Sequence, residues 1–235
     1  MLPGVVVAVK NEAGYLIKNI PCWLRHFDEI VVVDNGSTDQ TTAIVTNFPI
    51  RYIRFEQPLK RSQCWNEGAK AIQSEHVLFL HGDVTVPGSA VDALSSLWEN
   101  QSIDYSCFRI HFPENSFNFR WLEMISNFRS RYLKLIYGDQ GMCIRKSVFE
   151  QIGGFPEEFL LEDLKINKKL RHYHAGFVEA PIFPSSRKFH KLGFFNYLWL
   201  MNKILFLNAL GTDTQKIYQL YYNPNLNNAL ERNHE

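Results

Sequence analysis

The stretch Ile30-Val31-Val32-Val33-Asp34-Asn35-Gly36-Ser37-Thr38-Asp39 decides how the rest of the 235-residue chain is read. Four apolar, β-branched residues in a row describe a strand covered on both faces, as in a parallel sheet. The run ends on a carboxylate. Turn chemistry follows: Asn35-Gly36 bends the backbone, and Ser37, Thr38 or Asp39 can cap a short helix that ends near residue 47. Working outward, Val5-Val6-Val7-Ala8-Val9 is a second such run, and residues 13–25 read as the helix between the two. Residues 51–55 read as a third strand and 62–73 as a helix. Val77-Leu78-Phe79-Leu80 is a fourth buried strand, and Pro87 opens a helix to about residue 98.

This β-α-β-α rhythm predicts an α/β fold: a mostly parallel sheet flanked by helices. Ligands of such sheets bind beyond the carboxyl ends of the strands. Three of the strands end in polar residues, Lys10-Asn11-Glu12, Asp34-Asn35 and His81-Gly82-Asp83, and all three are expected to face one crevice. The second half is less regular. Residues 105–112 read as a strand and 117–136 as an aromatic-rich helix carrying Arg120, Arg129, Arg131 and Lys134. Gly138-Asp139-Gln140-Gly141 reads as a loop, Gly153-Gly154-Phe155-Pro156 as a turn, and 160–171 as a helix. From Phe194 onward two helices and an Asn-rich end are expected. No repeat or linker divides the chain, so one domain over 1–235 is expected: a ligand-binding half (1–100), a second half (101–190) and C-terminal helices (191–235).

A net charge of +1 excludes global attraction to nucleic acid, and a hydrophobic fraction of 46% provides for a real core. Cys22, Cys64, Cys107 and Cys143 form no C-x-x-C pair and read as reduced thiols of a cytoplasmic protein. The start lacks the pattern of a signal peptide. No run reaches the ~18 apolar residues of a membrane span.

Several residue types suit anionic ligands and proton transfer. Asp34, at a strand end, reads equally as a turn former and as an acceptor for a base or ribose. Arg61 can pair with phosphate oxygens, or lie solvated at the surface. Asp83 can supply the oxygen that a hard cation needs beside a diphosphate, with His81 adding a nitrogen; the alternative is a strand-ending turn. Glu162 and Asp163 open a helix, where the dipole favours carboxylates, and either can serve as a general base. His190, in the basic cluster Arg187-Lys188-Phe189-His190-Lys191, can touch phosphate or complete a metal shell, or belong to a solvated loop.

Taken together these segments resemble the family 2 glycosyltransferases of the GT-A fold, from Val5 to about Arg187. Val9-Lys10-Asn11-Glu12 is similar to the family's first-strand motif. Val33-Asp34-Asn35-Gly36-Ser37-Thr38-Asp39-Gln40-Thr41 is similar to its nucleotide-binding loop. Residues 61–68 and 78–83 resemble the segments leading into its D-x-D metal motif. Gly153-Gly154-Phe155 with Glu162-Asp163 resembles its acceptor-side G-G-F and E-D pair. The resemblance implies a Rossmann-like GT-A domain that transfers a sugar, with inversion, from a nucleotide sugar (UDP by default) to a hydroxyl. By position, Ala8, Glu12, Asp34, Arg61, His81, Gly82 and Asp83 would serve the donor. Asp83 would hold Mn2+ or Mg2+, with His190 as a further metal candidate. Gly154 and Glu162 would lie on the acceptor side, and Asp163 would be the catalytic base. The first Asp of D-x-D is His81 here, which leaves the ribose contact of that carboxylate without a counterpart. A Leu-His-x-Asp metal motif, Tyr137-Gly138-Asp139-Gln140 and Ser186-Arg187-Lys188-Phe189 are similar to segments of small bacterial enzymes of the arsenosugar-biosynthesis type.

His81 also motivates a second reading, a non-catalytic nucleotide-sugar binder that kept the fold. A dinucleotide oxidoreductase and a P-loop kinase lack their glycine motifs here. Trp121, Ile125, Phe128 and Tyr132 recur at helical spacing beside basic residues, and Phe194, Phe195, Trp199 and Phe206 enrich the tail. Such stripes suit a core, a homodimer, or peripheral contact at the inner face of a membrane.

Overall fold

The computed structural model describes residues 2–222, so the Asn-rich end lies outside the described residues. The expected alternation is present: β1 (Gly4–Val9), α1 (Ala13–Trp23), β2 (Ile30–Asp34), α2 (Thr41–Val45), β3 (Arg51–Arg54), α3 (Arg61–Ala71), β4 (His76–His81) and α4 (Gly88–Leu97). The second half continues with β5 (Tyr105–Ile110), α5 (Phe117–Leu133), β6 (Met142–Arg145), α6 (Lys146–Gln151), α7 (Glu162–Leu170) and β7 (Ala175–Ile182). α8 (Arg187–Leu192), α9 (Phe194–Ala209) and α10 (Thr214–Tyr221) follow.

The differences from the sequence reading have local causes. α5 stops at Leu133 because Lys134 turns left-handed (φ 56°) and caps the helix through its N–H to Arg129. The loop expected at 138–141 contains one 3-10 turn, Gly138–Gln140. α7 starts at Glu162, after Leu161 takes φ 65°. The sequence reading missed α6, which is only six residues long, and β7, an edge strand containing Glu179 and Pro181.

The sheet has the order β3-β2-β1-β4-β6-β5-β7. β1 to β4 pair in parallel, and so do β5 and β7. β6 runs antiparallel to both β4 and β5. A single reversed strand therefore leaves the other six pointing the same way, with their carboxyl ends along one edge. β1 is buried at all six positions, as its uninterrupted apolar sequence requires. On one face Val6, Val33, Phe79 and Tyr105 pack with Trp65 and Ala69 of α3, Phe149 of α6, and Ile166 and Leu170 of α7. α1 buries Leu16, Ile20 and Trp23, and α4 buries Ala90, Val91 and Leu94. The four cysteines are free thiols; burial pushes that of Cys107 up to about 12.

The chain forms two compact units. Of the described residues, the first comprises 2–157 with 162–184, and the second 158–161 with 185–222. Within the second, Phe189 of α8 packs on Phe194 and Tyr197 of α9, at 5.2 and 4.7 Å between ring centroids. Lys188 bonds the Tyr221 hydroxyl of α10. Among the described residues no helix is long and apolar enough to cross a membrane.

Candidate functional site

Register brings the strand ends together. Val9 lies opposite Asp34, and Ala8 opposite His81, so β1 is flanked by β2 and β4 at the same level. The loops beyond them are knitted by hydrogen bonds. Asn11, in a left-handed conformation (φ 56°), accepts from the Thr38 N–H at 2.8 Å, and its own N–H donates to Ser37 Oγ at 2.9 Å. The Glu12 N–H donates to Thr41 Oγ1 at 3.0 Å, while its carbonyl starts α1 by accepting from Tyr15 and Leu16. Asp39 joins both loops, accepting from the Ala13 and Thr41 N–H groups. Burial raises its carboxyl; the Thr41 and Ala13 hydrogen bonds outweigh that and hold it below the usual range.

Asp34 is 0% exposed. Its Oδ1 accepts from the Ser37 N–H at 2.8 Å and the Ser37 hydroxyl at 2.6 Å. Its Oδ2 accepts from Tyr52 at 2.6 Å and Thr42 at 3.3 Å, with Arg54 at 3.6 Å. In this state the carboxylate shapes the loop, and its lone pairs are engaged within the protein.

The end of β4 packs tightly against β1. A Cβ on Gly82 would stand 3.1 Å from Val9 Cγ1, and the Gly82 carbonyl accepts from Asn19 at 2.9 Å. The His81 ring lies 5.2 Å from Trp65, which also meets Phe155 at 4.8 Å. Across from His81 comes the 3-10 turn. A Cβ on Gly138 would lie 2.6 Å from His81 Nε2, so only glycine lets the turn approach this closely.

The same turn reaches α7. The Gly138 N–H donates to Asp163 Oδ2 at 3.2 Å, and the Leu164 N–H to Asp163 Oδ1 at 2.8 Å. Asn167, one helical turn on, clamps the Ile136 peptide through both its N–H and its carbonyl, at 3.1 and 2.6 Å. Burial, then the adjacent Glu162 carboxylate, push the Asp163 carboxyl up to about 6; Arg61 and the two N–H groups pull it down. Glu162 itself is 1% exposed and takes Arg61 as an ion-pair partner through Oε1, leaving Oε2 buried with no hydrogen bond. The Arg61 guanidinium also lies 5.5 Å over the Trp65 ring. Gly154 (φ 65°) needs its glycine because a Cβ would stand 2.7 Å from Asn66 Oδ1. Asn66 in turn bonds both the N–H and the carbonyl of Phe155, at 2.9 Å each, and so ties the G-G-F turn to α3.

The structure thus gathers Ala8, Glu12, Asp34, His81, Gly82 and Asp83 at adjacent strand ends, and brings Asp163 to His81 through the 3-10 turn. Arg61 and Glu162, read as serving donor and acceptor, bind one another here. His190 is exposed on α8 of the second unit. Sequence reasoning assigned no role to Asp139, although the Gly138-Asp139-Gln140 segment stood out. Its Oδ1 is buried without a hydrogen bond. Burial raises its carboxyl, Arg129 lowers it, and the nearby Asp83 charge raises it further. Among the described residues no three His, Cys, Asp or Glu side chains are gathered as a metal cage. Two carboxylates, one holding an orphaned buried oxygen, still fit a cation that takes its remaining ligands from phosphate and water. Two clefts, of about 500 and 440 Å3, open elsewhere on this unit, and neither is lined by Asp34, His81, Asp83 or Asp163.

S. aureus TarS, residues 1–349, has a similar structure: TM-score 0.66 and 18% identity over 79% of this chain, which spans 61% of that one. The mannosyltransferase PcManGT from Pyrobaculum calidifontis, solved with GDP-Man and Mn2+, gives a TM-score of 0.67 and 16% identity over 97% of this chain and 71% of that one. At such identities the likeness establishes the fold, GT-A in both cases. No curated protein is significantly similar in sequence. The family model described as "Glycosyl transferase family 2" matches residues 4–155, the stretch that holds the strand ends and the 3-10 turn, and the chain belongs to that family.

Proposed function

We propose that this protein transfers a glycosyl group from a nucleoside-diphosphate sugar to an acceptor hydroxyl, with inversion. The observation that carries this reading is Asp163. Its carboxyl is raised to about 6, and two N–H groups hold it beside the strand-end crevice. A carboxylate titrating there is mostly ionised at neutral pH yet more basic than an ordinary aspartate, as a general base requires. Asp163 takes the proton from the acceptor hydroxyl. The oxygen bonds to the anomeric carbon from the face opposite the diphosphate, and the bond to the diphosphate oxygen breaks.

Asp83, with Asp139 beside it, would hold Mn2+ or Mg2+, which offsets the charge on the departing diphosphate. Ala8, Glu12 and the loop shaped by Asp34 would receive the nucleoside, and Gly82, which lets the end of β4 pack against Val9 and Glu12, would line the donor site. Arg61 orders Glu162 next to the base. Gly154 sets the acceptor-side turn. UDP is the first donor to try: TarS has been solved with UDP and UDP-GlcNAc, and PcManGT with GDP-Man. The free thiols suit a reducing, cytoplasmic setting. The likeness to the arsenosugar-biosynthesis type rests on the sequence segments Leu80-His81-Gly82-Asp83, Tyr137-Gly138-Asp139-Gln140 and Ser186-Arg187-Lys188-Phe189.

Titration with UDP and Mn2+, followed by donor hydrolysis and transfer assays, tests this. Binding with hydrolysis or transfer is expected. Binding without either, across many acceptors, would favour the non-catalytic reading.

A further inference from the structure

We propose that α5 is a docking face for an anionic phospholipid bilayer. Phe117, Trp121, Met124, Ile125, Phe128 and Tyr132 form one stripe along this 17-residue helix, and all six are exposed, Phe117 at 82% and Tyr132 at 63%. The opposite stripe, Phe119, Glu123, Ser126 and Ser130, is buried against the protein. Most of the large apolar side chains thus face outward, and the inward stripe is polar apart from Phe119. A contiguous apolar patch of this kind marks a contact surface.

Charge selects the occupant. α5, its cap Lys134 and the cleft it walls carry five cations, Arg109, Arg120, Arg129, Arg131 and Lys134, against two carboxylates, Glu123 and Glu179. That local excess of +3 sits in a chain whose total is +1, so positive charge is concentrated around α5. Arg120 pairs with Glu123, and Arg131 with Glu179. Among the described residues the Arg109 and Lys134 side chains make no such pair, and both are exposed. An apolar, aromatic stripe flanked by unpaired cations suits a helix lying in the headgroup layer of an anionic bilayer. A second copy suits it less, because a two-fold contact would set the same positive face against itself.

The face is also joined to the candidate site. Arg129 of α5 lies 3.6 Å over the Tyr137 ring and bonds Gln140 Oε1 at 3.1 Å. Arg129 thus ties the turn that holds Asp163 to the proposed docking helix.

The test is flotation of the full chain with phosphatidylcholine vesicles, with and without phosphatidylglycerol. Retention by the phosphatidylglycerol vesicles at low salt and release at high salt are expected. The M124S/F128S variant should lose about tenfold or more of that binding, and R109E/K134E should lose its dependence on phosphatidylglycerol, both with unchanged melting. Failure of the wild type to float, or wild-type binding by M124S/F128S, overturns the proposal. So does a concentration-dependent dimer that M124S/F128S converts to monomer without vesicles. Flotation needs no donor and UDP titration needs no vesicles, so failure here is distinguishable from failure of the transferase reading.

Discussion

Replacing Asp163 with Asn should remove transfer and, at neutral pH, stabilise the fold. The two effects share one cause. The Asp163 carboxyl ordinarily titrates near 3.8 and is pushed up to about 6, first by burial and then by Glu162, against the pull of Arg61. Below about pH 4 the group is protonated whether folded or not, and its charge has no effect on stability. Between about pH 4 and 6 the unfolded chain ionises while the folded one stays protonated, so stability falls as pH rises. Above about 6 the whole penalty is present. At about 1.4 kcal/mol for each tenfold change in the protonation equilibrium, that penalty is about 3 kcal/mol as an upper figure. Asn cannot accept both the Gly138 and Leu164 N–H groups as the carboxylate does, which returns about 1 kcal/mol. D163N should therefore be more stable than wild type by about 1–2 kcal/mol at pH 8, and equal or weaker at pH 4. Urea unfolding at both pH values measures this. Turnover should drop about 10²–10⁴-fold with UDP affinity nearly unchanged. A D163N protein no more stable than wild type at pH 8, or one with normal turnover, would refute the assignment of a strained base.

The remaining predictions concern its neighbours. R61A leaves the buried Glu162 charge without its cation and should cost about 2–4 kcal/mol in urea unfolding. Because Arg61 holds the Asp163 carboxyl down, any activity that survives should show its acid limb at higher pH than wild type. G138A would drive a methyl into His81 and should weaken UDP binding by calorimetry, with the H81A/G138A double variant recovering affinity. Chelation should silence transfer and Mn2+ restore it. In manganese paramagnetic-resonance titrations with UDP present, D83N should abolish Mn2+ binding, and D139N should weaken it about tenfold.

Much of the site was legible because the signals that mark it are local. A run of β-branched residues buried on both faces has one reading, and its last polar residue names the strand end. Ile30 to Asp34 and Val77 to Asp83 were readable in that way, and the parallel register of β2, β1 and β4 then set Asp34 opposite Val9 and His81 opposite Ala8, with Glu12 and Asp83 in the loops just beyond. The left-handed backbone at Leu161, just before Glu162, has no signature in the sequence, so the start of α7 was read two residues early.

By itself, the sequence determined the β-α alternation, the strand ends and the residue types waiting there, since each follows from short-range periodicity and turn chemistry. Only the tertiary structure decided that β6 runs backward between β4 and β5, that Arg61 pairs with Glu162 across 101 positions, and that Asn66 and Asn167 each clamp a distant peptide. It also decided that the Gly138-Asp139-Gln140 turn closes on His81 and buries Asp139 within reach of the Asp83 charge. These pairings depend on which surfaces the folded sheet brings together. Burial and neighbouring charge, which set the protonation of Asp163, exist only once that packing is complete.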